Sequence, residues 1–377
     1  MTVLDHRPTA PVPPWLPGAT DPRTDPAPLL PDHTPVRVLG TPELAKHDPE
    51  LLRDLYRRLV IGRRYNQQAT TLTKQGRLAV YPSSTGQEAC EVAAATVLRP
   101  QDWLFPSYRD TLAVVGRGVD PLAALTLLRG SAHTGYDPVA TRTAPLCTPL
   151  ATQAPHAVGL AHAARLRGED VIALAMLGDG GTSEGDFHEA LNFAAVLNAP
   201  VVFLVQNNGY AISVPLTKQS AAPSLAHKAV GYGLPGRLVD GNDVVAVHEV
   251  LSEAFDRARN GGGPTLVEAL TYRLDAHTNA DDATRYRVSA EVEAWREHDP
   301  VTLMERHLRE AGVLDDALVA RAAEQAEALA ATMRAEFHAE PQLDPHSLFQ
   351  HVYAEPTPQL REQADQLAAE LAAEAGA

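Results

Sequence analysis

The sequence predicts an α/β protein, a doubly wound parallel sheet flanked by helices, with a helical C-terminal region. Three observations carry that prediction. Residues 171–177 (VIALAML) and 201–205 (VVFLV) are unbroken apolar runs of strand length. Between them, 186–197 places Phe187, Leu191 and Ala194 on one helical face. The alternation then repeats, with strands expected at 237–239 and 265–270 around a helix at 244–259. Strands without polar alternation are buried on both faces, which is the habit of a parallel sheet.

The remaining elements follow in chain order. Residues 1–40 hold ten of the thirty prolines. Proline removes backbone donors and favours extended chain, so this stretch reads as an extended arm or as a disordered tail. An α/β domain is expected over 41–300. In it, 48–75 is helical, with Leu52, Leu55, Tyr56 and Leu59 at i, i+3, i+4, i+7. Residues 86–98 read as a second helix, and 103–105 as a short buried strand ending at Pro106. Helical segments are expected across 120–130, then a polar loop over 131–148. Ser183 and Asp186 have capping-box spacing before the 186–197 helix. After 300 the chain is rich in Ala, Glu and Arg and reads as helix at 313–337 and 357–374, a helical region over 301–377.

Composition excludes several classes of function. With 45% hydrophobic and 21% charged residues over 377 positions, the chain can bury a large core unaided. A formal net charge of -15 argues against a nucleic-acid partner, whose footprint is basic. The two cysteines, Cys90 and Cys147, have no CxxC spacing, so neither a disulfide framework nor a structural zinc site organises the fold. No run approaches the ~18 apolar residues of a membrane span. The opening MTVLDHRPTAP lacks the layout of a signal peptide. The expectation is a cytoplasmic protein with no membrane partner.

The chemistry is expected beyond the carboxyl ends of the strands, where open α/β sheets bind ligands. The first apolar run continues into Gly178-Asp179-Gly180-Gly181, the second into Gln206-Asn207-Asn208-Gly209-Tyr210. Adjacent parallel strands would set Asp179 beside Asn208. One carboxylate, one amide oxygen and a backbone carbonyl suit Mg²⁺, which wants hard oxygen ligands and takes the rest from phosphate and water. A dinucleotide site fails on residues, because the loop is Gly178-x-Gly180-x-x-Ser183, and no Walker lysine follows. The glycines alone are equally a plain strand-to-helix turn. The second half decides: Gly178-Asp179-Gly180, 26 residues, then Asn207-Asn208 matches the thiamin-diphosphate fingerprint of transketolase-like enzymes.

Beyond that fingerprint, GDGGTSEGDFHEALNFAAVLNAPVVFLVQNNGYAISVP closely resembles the α subunit of the decarboxylase component of 2-oxo acid dehydrogenase complexes. Branched-chain 2-oxo acid dehydrogenase and two-subunit pyruvate dehydrogenase belong to that family. The resemblance runs from about 48 to 360 and includes GRLAVYPSSTGQEA, FPSYRD, TPLATQ, VDGND and YRLDAHTNADDATRYR in the family's order. It implies the transketolase-like, thiamin-diphosphate-binding fold. It implies Asp179, Asn208 and the Tyr210 carbonyl as Mg²⁺ ligands, and Tyr108 and Arg109 on the diphosphate. Leu150, Gly178, Gly180 and Gly181 join the cofactor-binding set, and His277 is the catalytic histidine, also placed at the cofactor. Pro149, Thr152 and Gln153 match residues around a potassium site of branched-chain members, and equally read as a helix N-terminal segment with satisfied side chains.

The same resemblance implies the reaction and the partners. A small 2-oxo acid loses CO₂ with the cofactor as electron sink, and the acyl group passes oxidatively to a lipoyl group on the acyltransferase component. A separate β subunit completes the site in an α₂β₂ heterotetramer. Three departures stand out. Gln206 replaces an arginine that some branched-chain members place on the phosphate. Cys147 and Thr148 replace a serine pair. The loop 131–147 is short, which puts the choice of 2-oxo acid in doubt. Thr278 and Thr284 stand where animal relatives carry regulatory phosphoserines, with nothing here to imply regulation. PLATQ leans towards a branched-chain substrate; pyruvate dehydrogenase and acetoin dehydrogenase α subunits are the nearest rivals. A non-catalytic assembly subunit is the rival of another class, and the intact Asp179, Asn208, Arg109 and His277 argue against it.

Overall fold

A computed structural model describes residues 26–131, 133–337, 345–350 and 352–375. Most of the proline-rich stretch, residues 1–25, lies outside them. The chain divides into two compact units at Arg334/Ala335. The second unit contains a short helix, Ser347–Gln350, and a longer one, Pro358–Ala375.

The described residues of the first unit contain seven strands: β1 (Trp103–Phe105), β2 (Ala173–Gly178), β3 (Val201–Asn207), β4 (Tyr210–Ala211), β5 (Val214–Pro215), β6 (Gly236–Asp240) and β7 (Thr265–Leu270). Five form one parallel sheet in the order β1-β2-β3-β7-β6, and β4 and β5 make a small antiparallel hairpin. All four sheet pairings are parallel. Alternate residues Ala173, Ala175 and Leu177 of β2, and Val201, Phe203 and Val205 of β3, share one core cluster with the helices Gln153–Arg167 and Gly185–Val196. The intervening Leu174, Met176, Val202 and Leu204 are equally buried. The helix Val244–Arg259 packs on β3, β6 and β7, with Glu88–Val97 against it. The sheet is therefore covered on both faces, as its unalternated strands require.

Capping explains where several helices begin. Asp48 accepts the Glu50 N–H ahead of Pro49–Lys74, whose Leu52, Leu55, Tyr56 and Leu59 are all buried. Asp243, the last residue of VDGND, accepts the Val245 and Ala246 N–H groups through Oδ1. Its Oδ2 accepts the N–H groups of Val38 and Leu39, both at 2.7 Å, and Val36 bridges to Val239. One carboxylate thus caps a helix and holds the incoming chain at the β6 edge.

One local expectation is refined and another corrected. The stretch 120–130 forms two 3-10 turns, Ala123–Leu125 and Leu127–Arg129, with no α-helix. Asp120 accepts the Leu122 and Ala123 N–H groups and sets a turn, and Gly130 closes the stretch at φ 92°. The capping box at Ser183 and Asp186 is not formed. Glu184 is the N-cap, without a side-chain bond, and the Asp186 carboxylate accepts the Thr152 hydroxyl at 3.0 Å. Between 131 and 148 the chain makes a one-turn helix, Pro138–Thr141, and then runs beside β1 through bridges at Thr143 and Cys147. Among the described residues, no helix is long and apolar enough to cross a membrane.

Candidate active site

Parallel pairing places Gly178, the end of β2, opposite Gln206 near the end of β3. The two following turns therefore leave the sheet together. They open into a cavity of about 790 Å³. Its lining includes Tyr108, Arg109, Leu150, Gln153, Gly178, Asp179, Gly180, Gly181, Asn208, Tyr210 and His277. Pro149 and Thr152 stand outside it: the Pro149 carbonyl accepts the Cys147 thiol, and Thr152 is bonded to Asp186.

Each wall has an identifiable cause. Asp179 is 1% exposed. Burial pushes its carboxyl above the ordinary range, opposed by a hydrogen bond from Gln219 Nε2 to Oδ2 at 2.7 Å. A buried carboxylate held by an amide donor, with Arg273 acting on it only at a distance and no ion pair to it among the described residues, favours a positive ligand. Asn208 donates from Nδ2 to Gln87 at 3.0 Å, and its Oδ1 accepts the Tyr210 N–H at 3.2 Å. The neighbouring Asn207 points elsewhere, donating to the buried Glu268 at 2.7 Å. Gly180 lies so close to the β4–β5 hairpin that a Cβ there would sit 2.8 Å from Ala211 Cβ. Among the described residues no three His, Cys, Asp or Glu side chains converge as a metal cluster. The oxygen set is one carboxylate with neutral donors, which fits a cation that shares its charge with a phosphate.

Across the cavity the groups are cationic. Arg109 donates to the Ser83 carbonyl at 2.8 Å, the His277 carbonyl at 3.2 Å and His277 Nδ1 at 2.9 Å. Arg273, 1% exposed, reaches the same Nδ1 at 3.2 Å, and donates to the Ile212 carbonyl and the Tyr286 hydroxyl. None of these bonds goes to a carboxylate, and Arg273 Nε is buried without a partner. Two buried guanidiniums in one wall favour an anion. They also define His277. Guanidinium groups only donate, so Nδ1 is the acceptor and the ring proton sits on Nε2. Burial, then Arg109 and Arg273, push the imidazole down to about 4. At neutral pH His277 is a neutral hydrogen-bond donor through Nε2, with Tyr108 edge-on at 5.9 Å between ring centroids.

The cavity also holds residues that the sequence reading did not single out. Arg273, Gln219 and Gln87 line it. Arg273 lies inside the quoted YRLDAHTNADDATRYR stretch, and an arginine just past an apolar strand is the signal that could have marked it. Gln87 likewise lies inside the quoted GRLAVYPSSTGQEA stretch, with its partner 121 residues away, and nothing local marks Gln219, whose partner is 40 residues away. Around the expected potassium site, Gln153 donates to the Met176 carbonyl at 2.7 Å and keeps a buried, unpartnered Oε1.

Comparison with known proteins points the same way. A family model described as the dehydrogenase E1 component matches residues 56–346. The chain is 46% identical over 349 residues to 3-methyl-2-oxobutanoate dehydrogenase subunit alpha of Mycobacterium tuberculosis (strain ATCC 25618 / H37Rv), covering 90% of this chain and 95% of that one. It is 36% identical over 315 residues to 2-oxoisovalerate dehydrogenase subunit alpha of Bacillus subtilis (strain 168), covering 80% and 94%. It is 40% identical over 268 residues to pyruvate dehydrogenase E1 component subunit alpha of Staphylococcus aureus (strain N315), covering 71% and 72%.

Proposed function

Because the chain belongs to the dehydrogenase E1 component family, we propose that it is the α subunit of a branched-chain 2-oxo acid dehydrogenase, acting on 3-methyl-2-oxobutanoate or a close relative. The observation that carries the reading is the meeting of Asp179 and Asn208 at the carboxyl ends of neighbouring strands, facing Tyr108, Arg109 and His277 across one cavity. The branched-chain relatives match 80–90% of this chain, the pyruvate relative 71%.

The residues fit thiamin diphosphate and Mg²⁺. Asp179, Asn208 and the Tyr210 carbonyl would hold the ion, and Tyr108, Arg109, Leu150 and the glycines 178, 180 and 181 the cofactor. The cofactor supplies the electron sink for loss of CO₂ from a 2-oxo acid. The arginine wall neutralises diphosphate charge without a proton transfer. His277 serves as a hydrogen-bond donor from Nε2 to an anionic oxygen of substrate or acyl group, and its neutrality follows from the guanidiniums on Nδ1. Of the three residues expected around potassium, Gln153 supplies the unpartnered buried oxygen, Oε1, so potassium is the less supported part of the metal set.

The relatives' names carry the word alpha, which implies a β partner. The proposal extends to an α₂β₂ heterotetramer in the cytoplasm that hands its acyl group to a lipoyl-bearing acyltransferase. The test is dye reduction by this chain co-expressed with its β subunit, with thiamin diphosphate and Mg²⁺. Preference for 3-methyl-2-oxobutanoate over pyruvate is expected. Preference for pyruvate would move the chain to the pyruvate reading. Full activity of the purified α chain alone would overturn the need for β.

A further inference from the structure

An amide side chain can be turned either way, so something must decide which end of Asn208 faces the site. The structure contains a chain of hydrogen bonds that does so. Buried Asp110 accepts the Ser107 N–H at 2.7 Å through Oδ2 and Gln206 Nε2 at 2.6 Å through Oδ1. Burial raises the Asp110 carboxyl, opposed by the Ser107 and Gln206 hydrogen bonds and by Arg109, and each of its two oxygens accepts a donor. Gln206 must therefore present its NH₂ group to Asp110 and its Oε1 to the other side. That Oε1 accepts Gln87 Nε2 at 3.2 Å, and Gln87 Oε1 in turn accepts Asn208 Nδ2 at 3.0 Å. The Asn208 NH₂ group is thereby taken up, and its Oδ1 is left for its own turn, where it accepts the Tyr210 N–H and keeps a second lone pair. The exposures of Asp110, Gln206, Gln87 and Asn208 are 0, 2, 1 and 5%. Solvent does not compete for these groups, and reversing any one amide would set oxygen against oxygen along the row.

We propose that Gln206 and Gln87 are positioning residues that orient the Asn208 amide, and thereby set the affinity of the sheet-edge site for a divalent cation, with Asp110 giving the chain its direction. The inference rests on the reading that Asp179 and Asn208 hold a cation for the diphosphate. Neither glutamine is a ligand; each acts through the residue after it. The chain also ties the FPSYRD segment to the Asn208 turn, so the cationic and anionic walls of the cavity are set by one network.

The test uses the complex with the β subunit and Mg²⁺ titration of thiamin diphosphate binding by calorimetry. Gln206→Met and Gln87→Met keep side-chain length and remove the amides. Each should raise the half-saturating Mg²⁺ concentration about 10–100-fold, with turnover recovered at excess Mg²⁺. The double variant should lose no more than the worse single variant, since both act through Asn208. Unchanged Mg²⁺ dependence in both Met variants would overturn the proposal. So would a loss of cofactor affinity that persists at saturating Mg²⁺, which would mean direct contact with the cofactor. Cofactor binding by the unaltered complex without any divalent ion would instead overturn the underlying reading of Asp179 and Asn208.

Discussion

A single methyl group at Gly180 should separate the metal site from the fold. An alanine Cβ there would lie 2.8 Å from Ala211 Cβ and 3.4 Å from Ala211 Cα. Non-bonded carbons rest at about 3.5–4.0 Å, so about 1 Å must be taken up. Gly180 has no positive φ, so the substitution brings no backbone strain. The yielding side is the two-residue hairpin β4–β5, whose Ile212 and Val214 are 54% and 42% exposed. Folding should lose about 1–3 kcal/mol, the ordinary cost of overpacking. The hairpin begins at Tyr210, whose carbonyl is the third proposed magnesium ligand. Mg²⁺ demands near-ideal octahedral geometry at about 2.0–2.1 Å, so displacing one ligand by a large fraction of an ångström is not tolerated. We expect Gly180→Ala to weaken Mg²⁺ binding about 10–100-fold, equal to about 1.4–2.8 kcal/mol. Gly185→Ala is the control: nothing lies within 4 Å of its Cβ, and it opens a helix. Its Mg²⁺ affinity should match the unaltered protein. The assay is calorimetric Mg²⁺ titration of the αβ complex with cofactor present. Unchanged affinity in Gly180→Ala, or an equal loss in Gly185→Ala, would refute the reasoning.

Three further outcomes are expected. His277→Ala should bind thiamin diphosphate normally and fail to transfer the acyl group to lipoyl; weakened cofactor binding would count against its assigned role. In the cofactor-free protein the His277 imidazole resonance should titrate near 4 instead of 6.5, because burial and two guanidiniums disfavour its charged form. The unfolded chain takes up that proton first, so this group lowers stability as pH falls from 6.5 towards 4 and contributes no pH dependence above 6.5. A titration at 6.5 would contradict the geometry of the arginine wall. Gly86→Ala should fold poorly, since its Cβ would meet the Tyr272 carbonyl oxygen at 2.3 Å from a φ of +97°. Neither backbone can yield, and a loss of about 3 kcal/mol or more is expected in chemical denaturation.

The parts of the fold legible in the sequence were those with one-dimensional signatures. β2 and β3 are apolar on both faces, so their buried, parallel character shows without any partner known, while β7 carries one buried carboxylate, Glu268, among its apolar residues. The Val244–Arg259 helix was expected at those bounds from its place between two strand-length runs. The turns with Asp179 and Asn208 follow these strands, which is why their juxtaposition could be expected. The errors came where tertiary contacts redirect a local pattern. Asp186 has the spacing of a capping partner, yet its carboxylate takes a hydroxyl from Thr152, 34 residues back. The helical segments expected over 120–130 form as two short 3-10 helices, the first entered where Asp120 accepts the Leu122 and Ala123 N–H groups. Gln87, Gln219 and Arg273 escaped notice for the same reason. A polar side chain becomes part of a site through where its partner lies, and those partners come from other strands and loops.

On the proposed reading, Asp179 and Asn208 form one cation-dependent diphosphate site. It is tested most directly by calorimetric binding of thiamin diphosphate to the αβ complex, with Mg²⁺ and with a chelator, for the unaltered protein and Asp179→Asn. Binding that needs Mg²⁺ and is lost in Asp179→Asn is predicted. Binding of equal affinity under chelation, or in Asp179→Asn, would contradict it.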